Sequence, residues 1–290
     1  MNERTTVGTY GRAWLAGLGA GGACAATLAR YGFAFAHFLH TFGRRRLGRI
    51  AVLELRLWLA DRRRDGSASS ARLEGRLVRQ MCRDAVSEGI LRRSPALGLR
   101  LPPVRRDPLP LPVTFGQVRL GLDSSRRVRA PWSFALSILL EGGLRLGELV
   151  SMRWADVSEG SSFHVRPHGD GWSPKAGSRV VPFSRRARRD VDGLRLCGRR
   201  SDGLARVIGV PGSVHTVGAV LRRRLRWACE EAGLPRLWPH ALRHLWVSRL
   251  IDLGTPMPVV QALAGHSSLA VTTLYAHQAP GGLVAAMGRF

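Results

Sequence analysis

The sequence predicts a mainly α-helical chain with one small β-hairpin, divided into two domains by a proline-rich strap. Three observations lead there. Apolar residues recur at helical spacing along most of the chain. Only 163–166 and 179–183 alternate as strands do, on either side of a Gly/Pro-rich turn, PHGDGWSPKAG. Residues 95–113, PALGLRLPPVRRDPLPLPV, carry prolines at 95, 102, 103, 108, 110 and 112, which cannot continue a helix and favour a stiff, extended path. With 290 residues a two-domain chain is expected. The boundaries that follow are 1–100, a linker at 101–113, and 114–290.

In the first domain, 25–40 places Leu28, Tyr31, Phe35, Phe38 and Leu39 at mostly helical spacing. A second helix is expected over 50–64, with Leu55, Trp58 and Leu59 inward. Gly66-Ser-Ala-Ser-Ser reads as a loop ending in a capping serine. The helix after it, 70–88, has Leu73, Leu77, Met81 and Ala85 as an apolar stripe. Arg72, Arg76, Arg79 and Arg83 form a second row at similar spacing, either a solvated face or a helix lying on DNA phosphates.

The second domain opens with Thr114-Phe-Gly-Gln117, which matches a capping box. An apolar helix follows over 131–140. EGGLRLGELVSMRWADV, 141–157, then brings Gly142 and Gly143 for a tight approach, and Arg145 ahead of a helix beginning near Gly147. Glu148 is an ion-pair partner for Arg145, and such a carboxylate also holds a guanidinium in place for a phosphate. Lys175 lies in the hairpin turn. The helix over 213–232 has a strongly basic centre, LRRRLRW, and Arg222, Arg223, Arg224 and Arg226 are either phosphate contacts or exposed charge.

The most informative stretch is LWPHALRHLWVSRLIDLGTPMPVVQALAGHSSLAVTTLYAH, 237–277. Pro239 suits a first helical position and Gly254 the residue after a helix end, so 239–253 reads as one helix, with His240 and Arg243 on one face. VVQALA forms a short helix ended by Gly265, with His266 at the break. Ser267 or Ser268 then caps a segment that presents Tyr275. An imidazole, a guanidinium, a second imidazole and a phenol are thereby expected to converge on one pocket, a set suited to attack on a phosphate. His240 and His244 stand at i, i+4 as zinc ligands do, but Ala241 occupies the place where HExxH needs its Glu, and a metal site is rejected.

Composition narrows the partner. Lys+Arg total 45 against 20 Asp+Glu, a net charge of +25 with pI near 11.8, which points to a polyanion and most simply to nucleic acid. Four cysteines, Cys24, Cys82, Cys197 and Cys229, form no CxxC pair and read as free buried thiols of a reducing cytoplasm. Residues 14–29 mimic a signal-peptide core but are too glycine-rich and run straight into Arg30. No uncharged apolar run is long enough to suggest a membrane span.

HALRH, then LAGH, then a tyrosine nine residues on resembles the signature of the tyrosine recombinases, the phage integrase family. GLRLGELVSMRWADV closely resembles that family's first-arginine segment, and the likeness extends over nearly the whole chain. It implies an N-terminal helical core-binding domain of the SAM-like kind and an α+β catalytic domain. It implies a site-specific recombinase or integrase with Arg145, Lys175, His240, Arg243, His266 and Tyr275 as catalytic residues and a 3′-phosphotyrosyl intermediate. Double-stranded DNA would be the substrate, a synaptic tetramer the working assembly, an accessory recombinase a further partner, and no cofactor or metal is needed. Leu245-Trp-Val-Ser248 departs from the usual Thr-Phe-Ala-Thr. The alternatives are a type IB topoisomerase-like nicking-closing enzyme and a non-catalytic DNA-binding relative.

Overall fold

A computed structural model describes residues 5–23, 25–103, 111–158, 161–169, 172–174, 176–197, 205–210 and 213–266. The chain divides into two compact units, Met1–Arg106 and Asp107–Phe290. It is mainly helical, with one small antiparallel sheet.

The first unit holds four helices: α1 Val7–Ala20, α2 Ala25–Phe42, α3 Val52–Asp65 and α4 Ala68–Ser87. α1 and α3 pack on α2 and α4 respectively, and α2 packs on α4. Glycines set the first approach: a Cβ on Gly11 would lie 2.7 Å from the Phe35 ring, so α1 and α2 meet backbone to ring. Phe35, Phe38, Phe42, Trp14 and Trp58 make a chain of tilted and edge-on ring contacts at 5.1–6.3 Å, the favoured aromatic geometry. Buried Glu74 is satisfied by Arg62, whose Nε and Nη2 donate at 2.8 and 3.1 Å. α4 starts earlier than the serine run alone indicates. Ser67 is its cap, the Oγ accepting from the Ser70 N–H at 3.0 Å, which frees the next serines to be helical. Leu77, Met81 and Ala85 are buried, while Arg76, Arg79 and Arg83 are exposed.

The second unit is built on α6, Trp132–Gly142, whose residues Ala135 to Gly142 are all buried, as expected of a helix apolar on every side. Around it lie α5 Phe115–Ser124, α7 Leu146–Ser151, α8 Arg185–Cys197, α9 Val214–Glu231 and α10 Pro239–Asp252. The short α11, Met257–Ala264, packs on α10 and the sheet. Thr114 caps α5 as a capping box, Oγ1 accepting from Gln117 N–H and Gln117 Oε1 from Thr114 N–H. The sheet has order β1-β2-β3 with β1 Val157–Ser158, β2 Ser162–Val165 and β3 Arg179–Pro182, and Phe163 stands opposite both Val157 and Val181. The expected hairpin is therefore β2 and β3, the central strand and one edge of a three-stranded sheet.

α6 ends in left-handed Gly143, φ +56°, where a Cβ would fall 2.1 Å from the Trp246 ring. Gly143→Ala should cost roughly 2–5 kcal/mol, about 1–2 from left-handed backbone and about 1–3 from overpacking. Urea denaturation measures it, and a loss under about 0.5 kcal/mol, the scale of an ordinary surface change, would show that the ring moves aside freely.

Cys82 and Cys229 are buried thiols, but Cys197 is exposed, because α8 ends there after its last inward residue, Leu194. Cys24 lies outside the described residues. Among the described residues no helix is long and apolar enough to cross a membrane.

Candidate active site

Three consecutive carbonyls at the C-terminal end of α11 organise the site. A helix end leaves its last C=O groups without partners and carries partial negative charge, so cations gather there. Leu263 O accepts from Arg179 Nε at 2.9 Å, Ala264 O from Arg243 Nη2, and Gly265 O from Arg145 Nη2 at 2.9 Å. Gly265 is left-handed, φ +61°, and a Cβ there would press on the Arg179 side chain at 3.1 Å.

Arg145 precedes α7, whose third residue, Glu148, reaches back to it. The carboxylate accepts the Arg145 backbone N–H at 2.9 Å and its Nη1 at 2.8 Å. Arg243 projects from α10 into the core and is 1% exposed, its Nη1 donating to Gly143 O at 2.8 Å. Trp246, one turn on and within the departure at 245–248, seats on that same Gly143.

His240 stands open to solvent at the start of α10, its ring 4.5 Å from the His244 ring and edge-on to it. Protein packed around the ring, then the Arg243 and Arg145 charges, lower its pKa from the ordinary value. Burial, then His240 and Arg243, lower His244 to about 4. His266, at the end of α11, is lowered to about 4 by burial, with Arg243, Arg145 and the other two imidazoles adding to it. All three rings are therefore neutral at pH 7, and neutral imidazole is the form that accepts a proton.

That has a consequence for stability. An unfolded chain protonates its histidines near pH 6.5, whereas His244 and His266 stay neutral until pH falls toward 4, so the unfolded state binds more protons in between. Stability from this cluster is full above pH 6.5 and declines as pH drops toward 4. Melting temperatures across that window check it. His244→Gln should flatten the dependence, and an unchanged slope would exclude His244 as a contributor.

The structure thus brings Arg145, His240, Arg243 and His266 together. Lys175 and Tyr275 lie outside the described residues. The segment between β2 and β3 is tied on its β2 side: His168 N–H donates to Trp172 O at 2.9 Å, and buried Asp156 holds His168 Nε2 and Arg166 Nε, both at 2.7 Å. Among the described residues no three His, Cys, Asp or Glu side chains converge to hold a metal ion.

The basic residues outside this cluster divide. In the first unit Arg72, Arg76, Arg79 and Arg83 line a groove of about 500 Å³ with Trp14, Tyr31 and Leu101. Arg72 is half-buried and its Nη1 donates to Pro102 O at 2.8 Å. On α9, Arg222, Arg223 and Arg226 are exposed, but Arg224 is half-buried, its guanidinium 4.6 Å from the Trp227 ring centre, with Arg223 and Arg127 over the same ring. Sequence reasoning passed over Arg179. The sequence marks it only as the residue that opens a strand, whereas in the fold its side chain is buried.

Comparisons with known proteins bear on the fold and the family. Residues 124–281, more than half the chain, match the model of the phage integrase family. The tyrosine recombinase XerC of Rhodospirillum centenum is 32% identical over 238 residues, covering 79% of this chain and 68% of the relative. A lambda integrase dimer bound to a COC′ core site superposes with TM-score 0.74 at 20% identity, over 93% of this chain and 95% of that one. A lambda integrase tetramer bound to a Holliday junction does so with TM-score 0.71 at 20% identity, over 91% and 78%. At that identity the two structures speak to the fold; the sequence matches speak to descent, and this chain belongs to the phage integrase family, the tyrosine recombinases.

Proposed function

We propose that this chain cuts and rejoins double-stranded DNA at specific sites through a covalent link on Tyr275, in integration, excision or dimer resolution. The observation that carries the reading is the meeting of Arg145, Arg243, His240 and His266 at the end of α11, nine residues before Tyr275. Two guanidiniums suit the non-bridging oxygens of a phosphodiester, and they stabilise the added charge of a pentacoordinate transition state. Neutral His240 takes the Tyr275 proton and returns it in the reverse step, and His266 hydrogen-bonds the phosphate. Lys175 protonates the leaving 5′-oxygen. The bond energy stays in the 3′-phosphotyrosine, so rejoining requires no nucleotide and no metal.

The helical unit at 1–100 is read as the core-binding domain, with the arginine row of α4 on DNA phosphates, and 114–290 as the catalytic domain. Arg222, Arg223 and Arg226 extend the phosphate contacts, with Arg224 stacked on Trp227 beside them. The working assembly is a tetramer on paired DNA sites, by analogy with the lambda integrase tetramer, and an accessory recombinase is a compatible partner. The protein is read as acting in the cytoplasm, on DNA held there.

The test uses a pool of nicked suicide duplexes with randomised cores. The protein should trap a subset as SDS-resistant complexes, and sequencing the trapped DNA gives the site. Mass spectrometry of digested complexes should find the nucleotide adduct on the peptide containing Tyr275. No trapping, or an adduct on another residue, would defeat the assignment.

A further inference from the structure

Glu148 is 3% exposed and lies between two guanidiniums. Arg145 reaches it with one side-chain bond, Nη1 to Oε1 at 2.8 Å. Arg179 reaches it with two, Nη1 to Oε1 at 2.9 Å and Nη2 to Oε2 at 2.6 Å, while its Nε is spent on Leu263 O. The Arg179 side chain is 7% exposed against 26% for Arg145, so the deeper arginine holds the fork and the shallower one shares a single oxygen. A buried carboxylate with one guanidinium forms a closed, bidentate pair in which both charges are spent on each other. With two guanidiniums the carboxylate is divided, and one positive charge is left over.

We propose that Arg179 is a positioning residue for Arg145: by taking the fork of Glu148 it prevents that carboxylate from closing on Arg145, whose guanidinium stays available to the scissile phosphate. Without Arg179, Oε2 keeps only the Arg145 backbone N–H and has a lone pair for the second Arg145 nitrogen, and the guanidinium rotates off Gly265 O toward the carboxylate. Arg179 itself touches no substrate. The inference rests on the reading of Arg145 as a phosphate ligand.

Single-turnover cleavage of a trapped duplex tests it. Arg179→Met should slow cleavage by about 10–100-fold, less than the ~10²–10³ for removing a direct donor, with DNA binding unchanged. Adding Glu148→Gln to Arg179→Met should recover most of the rate, because no carboxylate remains to capture Arg145. A purely architectural Arg179 predicts the opposite, since the double variant loses a further buried contact. The Arg179→Met deficit should also shrink on a duplex whose scissile phosphate is a methylphosphonate, which carries no charge for Arg145 to meet.

If Arg179→Met fails to melt cooperatively, Arg179→Lys and Arg179→Gln decide. Lysine keeps the cation and should cleave at least tenfold faster than glutamine, which keeps only hydrogen bonds. Equal rates for these two, or a double variant no faster than Arg179→Met, overturn the proposal. A normal rate for Arg145→Ala would instead remove the phosphate-ligand reading beneath it, a separate result.

Discussion

Tyr275→Phe should form no SDS-resistant DNA complex, while binding DNA as the unaltered chain does. The substitution removes one hydroxyl and keeps the ring. Nothing else in the proposed mechanism offers an oxygen positioned for attack, so the loss should be complete rather than graded. Affinity should survive because it comes chiefly from phosphate contacts: the chain carries +25, and binding should weaken steeply with added salt. The slope of log K against log salt should be the same for both proteins. A trapped complex with Tyr275→Phe would mean another nucleophile. A changed slope would mean that the tyrosine segment contributes to binding.

Lys175→Arg should lower the cleavage rate by ~10²–10⁴-fold, the usual worth of a positioned acid, with DNA binding intact. The chain has one lysine among 45 basic residues, the other 44 being arginine. Arginine, with a pKa of roughly 12.5–13.8, is a poor proton donor, whereas an ammonium can be tuned toward neutrality. In sequence the single lysine lies between β2 and β3. A 5′-bridging sulfur leaves readily without a proton, so a duplex carrying it should restore most of the rate lost in Lys175→Arg. It should not restore Arg145→Ala, which lacks charge stabilisation rather than an acid. Normal cleavage by Lys175→Arg, or equal rescue of both variants, would remove Lys175 from the role.

What could be read beforehand was what is local. His240 and Arg243 are one helical turn apart, Glu148 is three residues from Arg145, and LAGH sits at a helix end marked by its glycine, so spacing alone placed them on elements. The bounds of α9, α10 and β3 came out within a residue or so for the same reason. α8 went unread because RRARRDVDGLRLC hides its stripe. Its inward residues are Ala187, Asp190, Val191 and Leu194, and the Asp is tolerated because Ser137 Oγ donates to it at 2.5 Å from another helix and Arg186 Nε lies 3.3 Å from its other oxygen. β1 was missed because two residues carry no alternation to detect. Arg179 was missed because its partners lie 31 and 84 positions away, at Glu148 and Leu263, and only the fold brings them near.

The contact between Gly143 and Trp246 has a further consequence, for how sequences of this kind can drift. Gly143 has no room for a side chain while an indole lies over it, and its carbonyl holds Arg243. Positions 143 and 246 are therefore tied across a hundred residues of chain. A larger residue at the first becomes tolerable only after a smaller one at the second, and even then the left-handed backbone restricts the choice to residues such as asparagine. Related chains with a slimmer residue at the position of Trp246 should be the ones in which the glycine has been lost, and the two substitutions should appear in that order.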